Sequence, residues 1–534
     1  MVEPVSAGQW WRDGVIYQIY PRSFQDSNGD GVGDLRGVIG RLDYLQWLGV
    51  DAIWLTPITV SPDKDMGYDV ADYCGVQPAF GDLRTVDELI REAEKRHLKV
   101  VLDIVPNHSS DQHPWFVDSR SSRTSRHRDW YVWADPKADG TPPNNWLSVF
   151  GGPAWTLDAR TGQYYLHNFL AEQPDLNWWN PEVRDAFDEI YRFWFDRGVA
   201  GFRIDVAHGI VKDRELRDNP VATEEDPASV RAHGQRTVYN MERPEVHEVL
   251  RHWRNLANGY DPPRILLGET YVLDVRTMGR FYGTGDELHL AFNFTYVHAR
   301  LDAEVLAQVV AESELVIPDV GWPVWTVSNH DVPRVMSRWC QADERKLRCA
   351  LLSLLTLRGT PVLYYGDEIG MPDTPIKQED LQDPVGKRRW PEPGGRDPER
   401  TPMQWQHSEG AGFTQADVRP WLPIGDSASR NVEDQRRDPR STLSFVHDLI
   451  ALRRGSVDLQ SGKYEQLKTP PRTWAWRRGR DTIVVLNLSD QSVRLPDLTG
   501  RILIESSRLR DGERLNGGLT LDPWQGALCS SALT

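Results

Sequence analysis

VVLDIVPNH, residues 100–108, is a run of β-branched and apolar side chains stopped by Pro106, Asn107 and His108, with one carboxylate, Asp103, inside it. A run of that length and composition reads as a strand buried on both faces. Working outward, GFRID (201–205), ILLGE (265–269) and WTVSNHD (325–331) repeat the pattern, and each ends on an acid. VIYQIY (15–20), DAIWLT (51–56), LAFNF (290–294) and VLYYG (362–366) bring the strands to eight. Between them lie amphipathic helices. Residues 36–49 place Val38, Leu42, Leu45 and Leu48 on one face and stop at Gly49. Residues 83–98 open with a capping box, Thr85 with Glu88, and align Val86, Leu89, Ile90 and Ala93. Residues 181–197 begin at Pro181 after a capping Asn180, carry Val183, Phe187, Ile190 and Trp194, and end at Gly198. Strand and helix in alternation imply a parallel sheet, and eight strands close an α/β (β/α)8 TIM barrel whose active site lies at the C-terminal strand ends. The acids fall at those ends.

The chain has 534 residues and a formal charge of −16, which argues for several domains and against nucleic acid or anionic membrane as partner. No run of about eighteen apolar residues exists, and the opening MVEPVSAGQWWRDG has neither a basic nor an apolar leader region, so a cytoplasmic location is expected. Cys74, Cys340, Cys349 and Cys529 lack metal spacing and read as reduced and structural. The 22 Trp exceed what a core needs and offer platforms for apolar sugar faces.

Interruptions of the alternation mark domains. A barrel domain over 1–106 is followed by an inserted B domain, 107–177, after the third strand. The barrel resumes over 178–456 and carries a long insertion at 367–438. Short alternating runs over 457–534 imply a C-terminal antiparallel β-sandwich.

DIVPNH, GFRIDV, LLGET, SNHD and QPDLNW (173–178), with SPDKDMGYD (61–69) and GRDPERTPMQW (395–405), resemble the conserved regions of the α-amylase family of glycoside hydrolases (family 13). The resemblance is to the oligo-1,6-glucosidase and α-glucosidase branch and runs over essentially the whole chain. It implies that Asp205 is the nucleophile, Glu269 the general acid, which must carry a proton when substrate binds, and Asp331 a third acid that stabilises the oxocarbenium-like state. Arg203 lies on the same strand face as Asp205, and a guanidinium there should lower the nucleophile's pKa. His108 and His330 match residues that bind hydroxyls of the reacting glucose, while Asp65 and Arg400 match a pair that closes the pocket behind a terminal glucose, with Tyr68 as stacking platform. Phe150 and Phe169 are candidates to line the sugar site, with core packing the alternative.

The loop DSNGDGVGD (26–34) offers Asp26, Asn28, Asp30, the Val32 carbonyl and Asp34 to a structural Ca2+, although the twelfth position is Gly37 rather than a bidentate Glu; the alternative is an Asx-rich turn without an ion. No fingerprint of an organic cofactor stands out. Val206, next to the nucleophile, accompanies α-1,6 cleavage in the branch, whereas the loop from Ala207 to Met241 resembles enzymes acting on maltose. The expectation is an exo-acting α-glucosidase that takes small oligosaccharides at terminal α-1,4 bonds. Cleavage of α-1,6 bonds, transglucosylation, and a trehalose or isomaltulose synthase activity stay open, as does the oligomeric state.

Overall fold

The computed structural model describes residues 9–318, 321–392 and 394–531. Residues 1–8, read above for a leader, lie outside that range.

Eight strands form the central sheet: β1 Ile16–Ile19, β2 Ala52–Leu55, β3 Lys99–Ile104, β4 Gly201–Ile204, β5 Ile265–Gly268, β6 Leu290–Ala291, β7 Val324–Trp325 and β8 Thr360–Tyr364. All neighbours pair in parallel in the order β6-β5-β4-β3-β2-β1-β8-β7, and a parallel bridge between Phe292 and Val324 closes the ring. Alternation along each strand sorts the core. Ile16, Trp54, Val101, Leu267, Leu290 and Val362 fill the barrel, while Tyr17, Ile53, Leu102, Phe202 and Leu266 belong to the larger core that includes the surrounding helices.

Local signals account for most helix boundaries. Asn180 caps the helix Pro181–Asp196 through the Glu182 N–H, and the Tyr191 and Phe195 rings of that helix lie 4.7 and 4.9 Å from Phe202. Two expectations need correction. Residues 36–49 form two helices, Leu35–Gly40 and Leu42–Leu48, because Arg41 leaves helical geometry (φ −107°) to lay its guanidinium 4.1 Å from the Trp405 ring centre and bond Gln25. The helix Leu83–Lys95 is capped by Asp82, whose short carboxylate takes the Thr85 N–H and hydroxyl, so Thr85 is not the cap.

Within residues 107–177 a helix, Pro114–Ser119, precedes a three-stranded antiparallel sheet of Trp133–Ala134, Gln163–Leu166 and Trp155–Asp158. Residues 367–438 are loops and short helical turns, including Pro384–Arg389 and Pro398–Arg400. The C-terminal strands are β9 Tyr464–Leu467, β10 Thr473–Arg478, β11 Thr482–Asn487, β12 Val493–Glu505, β13 Arg514–Leu521 and β14 Gln525–Ser530, in one antiparallel sheet ordered β9-β10-β11-β14-β12-β13. Trp474, Trp476 and Val484 face the main core, while Ala475, Ile483, Val485, Ile502 and Leu519 enclose a second one. The four cysteines are free, and among the described residues no helix is long and apolar enough to cross a membrane.

Candidate active site

Strand register assembles the base of the site. Asp103 on β3 is the register partner of Arg203 on β4, and both side chains point into the barrel. Arg203 Nη1 lies 2.9 Å from Asp103 and 2.7 Å from Asp205, and Nη2 lies 2.8 Å from Glu269. Glu269 follows Gly268, where a Cβ would stand 2.3 Å from a Leu288 methyl and displace it, so the strand end packs tightly there. Glu269 Oε2 also accepts the Val206 N–H at 2.9 Å. That bond comes with a left-handed backbone at Val206 (φ 46°), an outlier for a β-branched residue.

Three acids on one cation change the electrostatics foreseen from Arg203 alone. Burial pushes Asp205 well above the usual carboxylate range, Arg203 offsets part of this, and Glu269 and Asp103 push it further up. Burial likewise raises Asp103 to about 7 against the pull of Arg203. Arg203 lowers Asp205 as expected, but burial and the neighbouring carboxylates outweigh it and the net shift is upward, because the guanidinium is divided among three acids. Asp205 and Glu269 are held side by side by the two terminal nitrogens of one guanidinium, Nη1 on Asp205 and Nη2 on Glu269.

Above this base stands a polar wall. Gln18 donates its amide to His330 Nδ1 at 2.7 Å, which leaves the imidazole proton on Nε2, facing Tyr68 Oη at 2.5 Å and Asp331 at 3.2 Å. Burial depresses His330 to about 3 and His108 to about 4, so both rings are neutral at pH 7. Tyr68 stacks on His330 with ring centres 5.4 Å apart and donates to Asp103 at 3.0 Å. His108 meets the Gln173 amide at 3.1 Å, and that amide also donates to Asp65. Burial favours the neutral acid at Asp331, but His330, Arg396 and Arg400 outweigh it and hold the carboxyl well below its ordinary range.

The pairing of Asp65 with Arg400 does not form. Arg396 takes Asp65 at 2.5 Å, and also Asp331 at 3.2 Å and Asp383 at 2.7 Å. Arg400 is fully buried and bonds Asp331 at 2.7 Å and the His330 carbonyl at 2.7 Å. The turn Pro398–Arg400 sends the two arginines in different directions, and Asp383 fixes Arg396 from the far side.

These groups surround a cavity of about 260 Å3. Asp65, Tyr68, His108, Phe150, Phe169, Asp205, Val206, Glu269 and Asp331 line it, while Arg203, His330 and Arg400 stand behind the lining. Phe150 and Phe169 meet edge to face at 5.5 Å, with the Arg396 guanidinium 5.2 Å from the Phe150 ring centre. No tryptophan contributes to the lining among the described residues; Trp54, Trp146, Trp178, Trp194 and Trp253 are fully buried core. Sequence reading missed Arg396, Val149, His208, Met241 and Tyr271 in the lining, with Gln173 and Asp383 behind it. The signal for Arg396 was present in GRDPER, but choosing between two arginines four residues apart needs the turn geometry. Lys212, paired with Asp175 at 2.7 Å and Asn107 at 2.5 Å, ties the loop after β4 to the segment after β3, so Asn107 is a strut.

In the loop 26–34, Asp26 Oδ1 accepts from the N–H groups of Asn28 and Gly29 and Oδ2 from Gly31; Asn28 accepts from Asp30, Asp30 from Val32, and Asp34 from Ser27 and Gly37. The loop thus satisfies its own oxygens as a ladder of Asx turns. Among the described residues no group of three or more His, Cys, Asp or Glu is placed to hold a metal. Both oxygens of Asp26 and both of Asp34 already accept two bonds each, so the donor set fits Ca2+ only where these internal bonds give way.

A family model for the α-amylase catalytic domain matches residues 18–462. The chain is 44% identical over 499 residues to a probable α-glucosidase of Rhizobium meliloti (strain 1021), with 90% of each chain covered. It is 37% identical over 564 residues to an oligo-1,6-glucosidase of Parageobacillus thermoglucosidasius, covering 97% of this chain and 98% of that one. The crystal structure of an α-glucosyl transfer enzyme, XgtA, is similar with a TM-score of 0.89 at 40% identity, covering 97% of this chain and 99% of that one.

Proposed function

Because the chain belongs to the α-amylase family of glycoside hydrolases, we propose that it is a retaining, exo-acting α-glucosidase. It releases terminal non-reducing α-1,4-linked glucose from maltose and short oligosaccharides, with α-1,6 cleavage and transglucosylation as side activities. The observation that carries this reading is the pair Asp205 and Glu269, on adjacent strand ends and held by the two terminal nitrogens of one guanidinium, Arg203. Retaining enzymes hold their two carboxyls about 5–5.5 Å apart, too close for an intervening water.

In the first step Asp205 attacks the anomeric carbon while the proton held by Glu269 passes to the departing oxygen. The C–O bond to the leaving sugar breaks and a glucosyl ester of Asp205 forms. Glu269 then takes a proton from water, whose oxygen displaces Asp205, and two inversions give retention. Asp331, kept anionic by Arg396 and Arg400, faces the positive charge that develops on the ring. The neutral His108, in the lining, supplies a directional bond to a glucose hydroxyl, and His330, behind the lining, holds Tyr68 and Asp331 in place through Nε2. Asp65 and Arg396 close the cavity behind that sugar, which supports action at a chain end. Asp26, Asn28, Asp30, Asp34 and the Val32 carbonyl would hold Ca2+ as a brace for the loop after β1; the ion supplies no chemistry to the reaction.

A second reading, glucosyl transfer or sucrose isomerisation, uses the same carboxyls and is favoured by the likeness to a glucosyl transfer enzyme. A panel of maltose, isomaltose, sucrose, trehalose and p-nitrophenyl α-glucoside, with products resolved, tests both. Glucose from maltose with little rearranged disaccharide supports the first; trehalulose or isomaltulose as the main product from sucrose replaces it.

A further inference from the structure

Asp367 and Glu368 are consecutive buried acids in the turn Asp367–Ile369 that follows β8, and the reaction described above uses neither. Their side chains go separate ways. Glu368 takes the hydroxyls of Tyr17 at 2.6 Å and Tyr44 at 2.7 Å, joining β1 to the helix Leu42–Leu48. Asp367 turns instead toward the loop that follows β7. Its Oδ2 accepts the Ser328 hydroxyl, and its Oδ1 lies 3.8 Å from Nη1 of Arg334.

Ser328 and Arg334 are the two feet of the segment that carries His330 and Asp331, and Asp331 stands three residues from each. One carboxylate therefore spans the base of this loop. Between the feet an antiparallel bridge joins Asn329 to Val332, and Asn329 accepts the Asp331 N–H at 2.8 Å. The Arg334 guanidinium lies 4.8 and 4.7 Å from the ring centres of Tyr364 and Tyr365 and donates to the Tyr365 carbonyl at 2.6 Å. A Cβ on Gly366, whose φ is 86°, would come to 3.0 Å from it. Its Nε and Nη2 have no hydrogen-bond partner among the described residues, nor has Asp367 Oδ1, so the two charges answer each other where little screens them. Burial raises the Asp367 carboxyl to about 7, with Glu368 and Asp373 adding to the rise, while Arg334 and the Ser328 hydroxyl pull it down. The acid thus depends on both feet to stay ionised.

We infer that Asp367 is a positioning residue for Asp331: by fixing Ser328 and Arg334 it sets where the third acid meets the charge that develops on the transferred glucose. This rests on the role given to Asp331 above. Arg396 and Arg400 grip the loop at its tip, and Asp367 holds it at its base. A misplacement of about 1 Å at a reacting centre can cost roughly 100-fold in rate. Asp331 acts on charge that is present only in the transition state, so kcat should carry the loss rather than KM.

The test compares the two neighbouring acids on p-nitrophenyl α-glucoside. Asp367→Asn keeps an oxygen for Ser328 but loses the charge opposite Arg334, and should lower kcat by about 10- to 100-fold with KM within about threefold. Glu368→Gln, whose partners are Tyr17 and Tyr44, should lower Tm yet leave kcat within about twofold. In an Asp331→Asn background Asp367→Asn should add less than about twofold, because the acid it positions is already gone. Ser328→Ala should repeat the pattern, and it carries both comparisons if Asp367→Asn does not fold. An unchanged kcat, a loss borne by KM, equal kcat losses from Asp367→Asn and Glu368→Gln, or a full further loss in the Asp331→Asn background overturns the inference. Near-normal turnover in Asp331→Asn alone would instead overturn the role of Asp331 beneath it, and this inference with it.

Discussion

At the closed end of the pocket Asp65, Arg396, Asp331 and Arg400 form one continuous ion-paired array, whereas at the mouth Val149, Val206, Met241 and Tyr271 present almost no polar atom. A fixed array of charges and neutral imidazoles recognises one arrangement of hydroxyls and resists change, because every member is held by at least one other. An apolar rim ranks its ligands by contact area and tolerates variety. The difference implies that identity of the transferred sugar is set at the closed end and choice of aglycone at the mouth, with Asp205 and Glu269 between.

Mutations at the boundary should have the largest effect. Asp205→Asn is expected to lose roughly 10^4-fold or more in kcat, as removal of a nucleophile does, with glucose binding retained; near-normal turnover in revertant-free protein would remove Asp205 from its role. Glu269→Gln should still be glucosylated by substrates with good leaving groups, and added azide should restore turnover as glucosyl azide. Unchanged leaving-group dependence would exclude Glu269 as the acid.

The closed end comes next. Arg396→Met leaves Asp65, Asp331 and Asp383 without their shared cation, and breaking a buried pair costs about 3–5 kcal/mol, spread over stability and substrate binding. In double-mutant cycles read as kcat/KM on maltose, Asp65→Asn should couple to Arg396→Met by roughly 1–3 kcal/mol and hardly at all to Arg400→Met. The reverse ranking would restore the partner expected from sequence.

Neutral imidazoles give the closed end a pH signature. With His330 at about 3 and His108 at about 4 when folded, and about 6.5 unfolded, the unfolded chain binds protons first as pH falls. Their contribution is therefore complete above about pH 6.5 and is lost between there and the folded values, by up to ~1.4 kcal/mol per pH unit for each histidine. His330→Gln should flatten the fall of stability from pH 6.5 to 4, measured by denaturant titration. An unchanged slope would mean that His330 is already protonated in the folded state.

How much of this could be read from the sequence depended on how local each signal was. Eight strands were legible because doubly buried strands are written in β-branched residues; Asp205 and Glu269 were legible because each directly follows a strand, whereas Asp331 lies six residues past the end of β7 and was legible only through its motif. Arg396 was not, since its selection over Arg400 depends on Asp383, thirteen residues upstream. The break at Arg41 was equally hidden: the apolar spacing of 36–49 suits one helix, and only contacts with Gln25 and Trp405 interrupt it. The mouth was legible at one position, Val206, because Met241 and Tyr271 reach it from loops without a periodic pattern.

At the mouth, effects should be smaller. Val206→Thr keeps a β-branched residue at φ 46°, so the backbone bond to Glu269 survives and only a methyl becomes a hydroxyl. The ratio of kcat/KM for maltose over isomaltose should rise by roughly 1–3 kcal/mol in discrimination. A ratio within about twofold assigns linkage choice to residues 207–241 instead. Smallest of all is the loop at Asp26–Asp34, remote from this contrast: because it satisfies its own oxygens, chelation should lower Tm by only about 1 °C, near 1 kcal/mol for a chain of this length, with little change in kcat. Dialysed protein free of calcium, with no thermal response to added calcium, would reject the ion.

The most direct measurement is the anomeric configuration of the first glucose released from maltose, followed by proton NMR before mutarotation. A double displacement by Asp205 and Glu269 predicts α-glucose first, with β-glucose appearing only as the solution equilibrates. β-Glucose as the initial product would require a water between the two carboxyls and would contradict the shared-guanidinium geometry as the basis of catalysis.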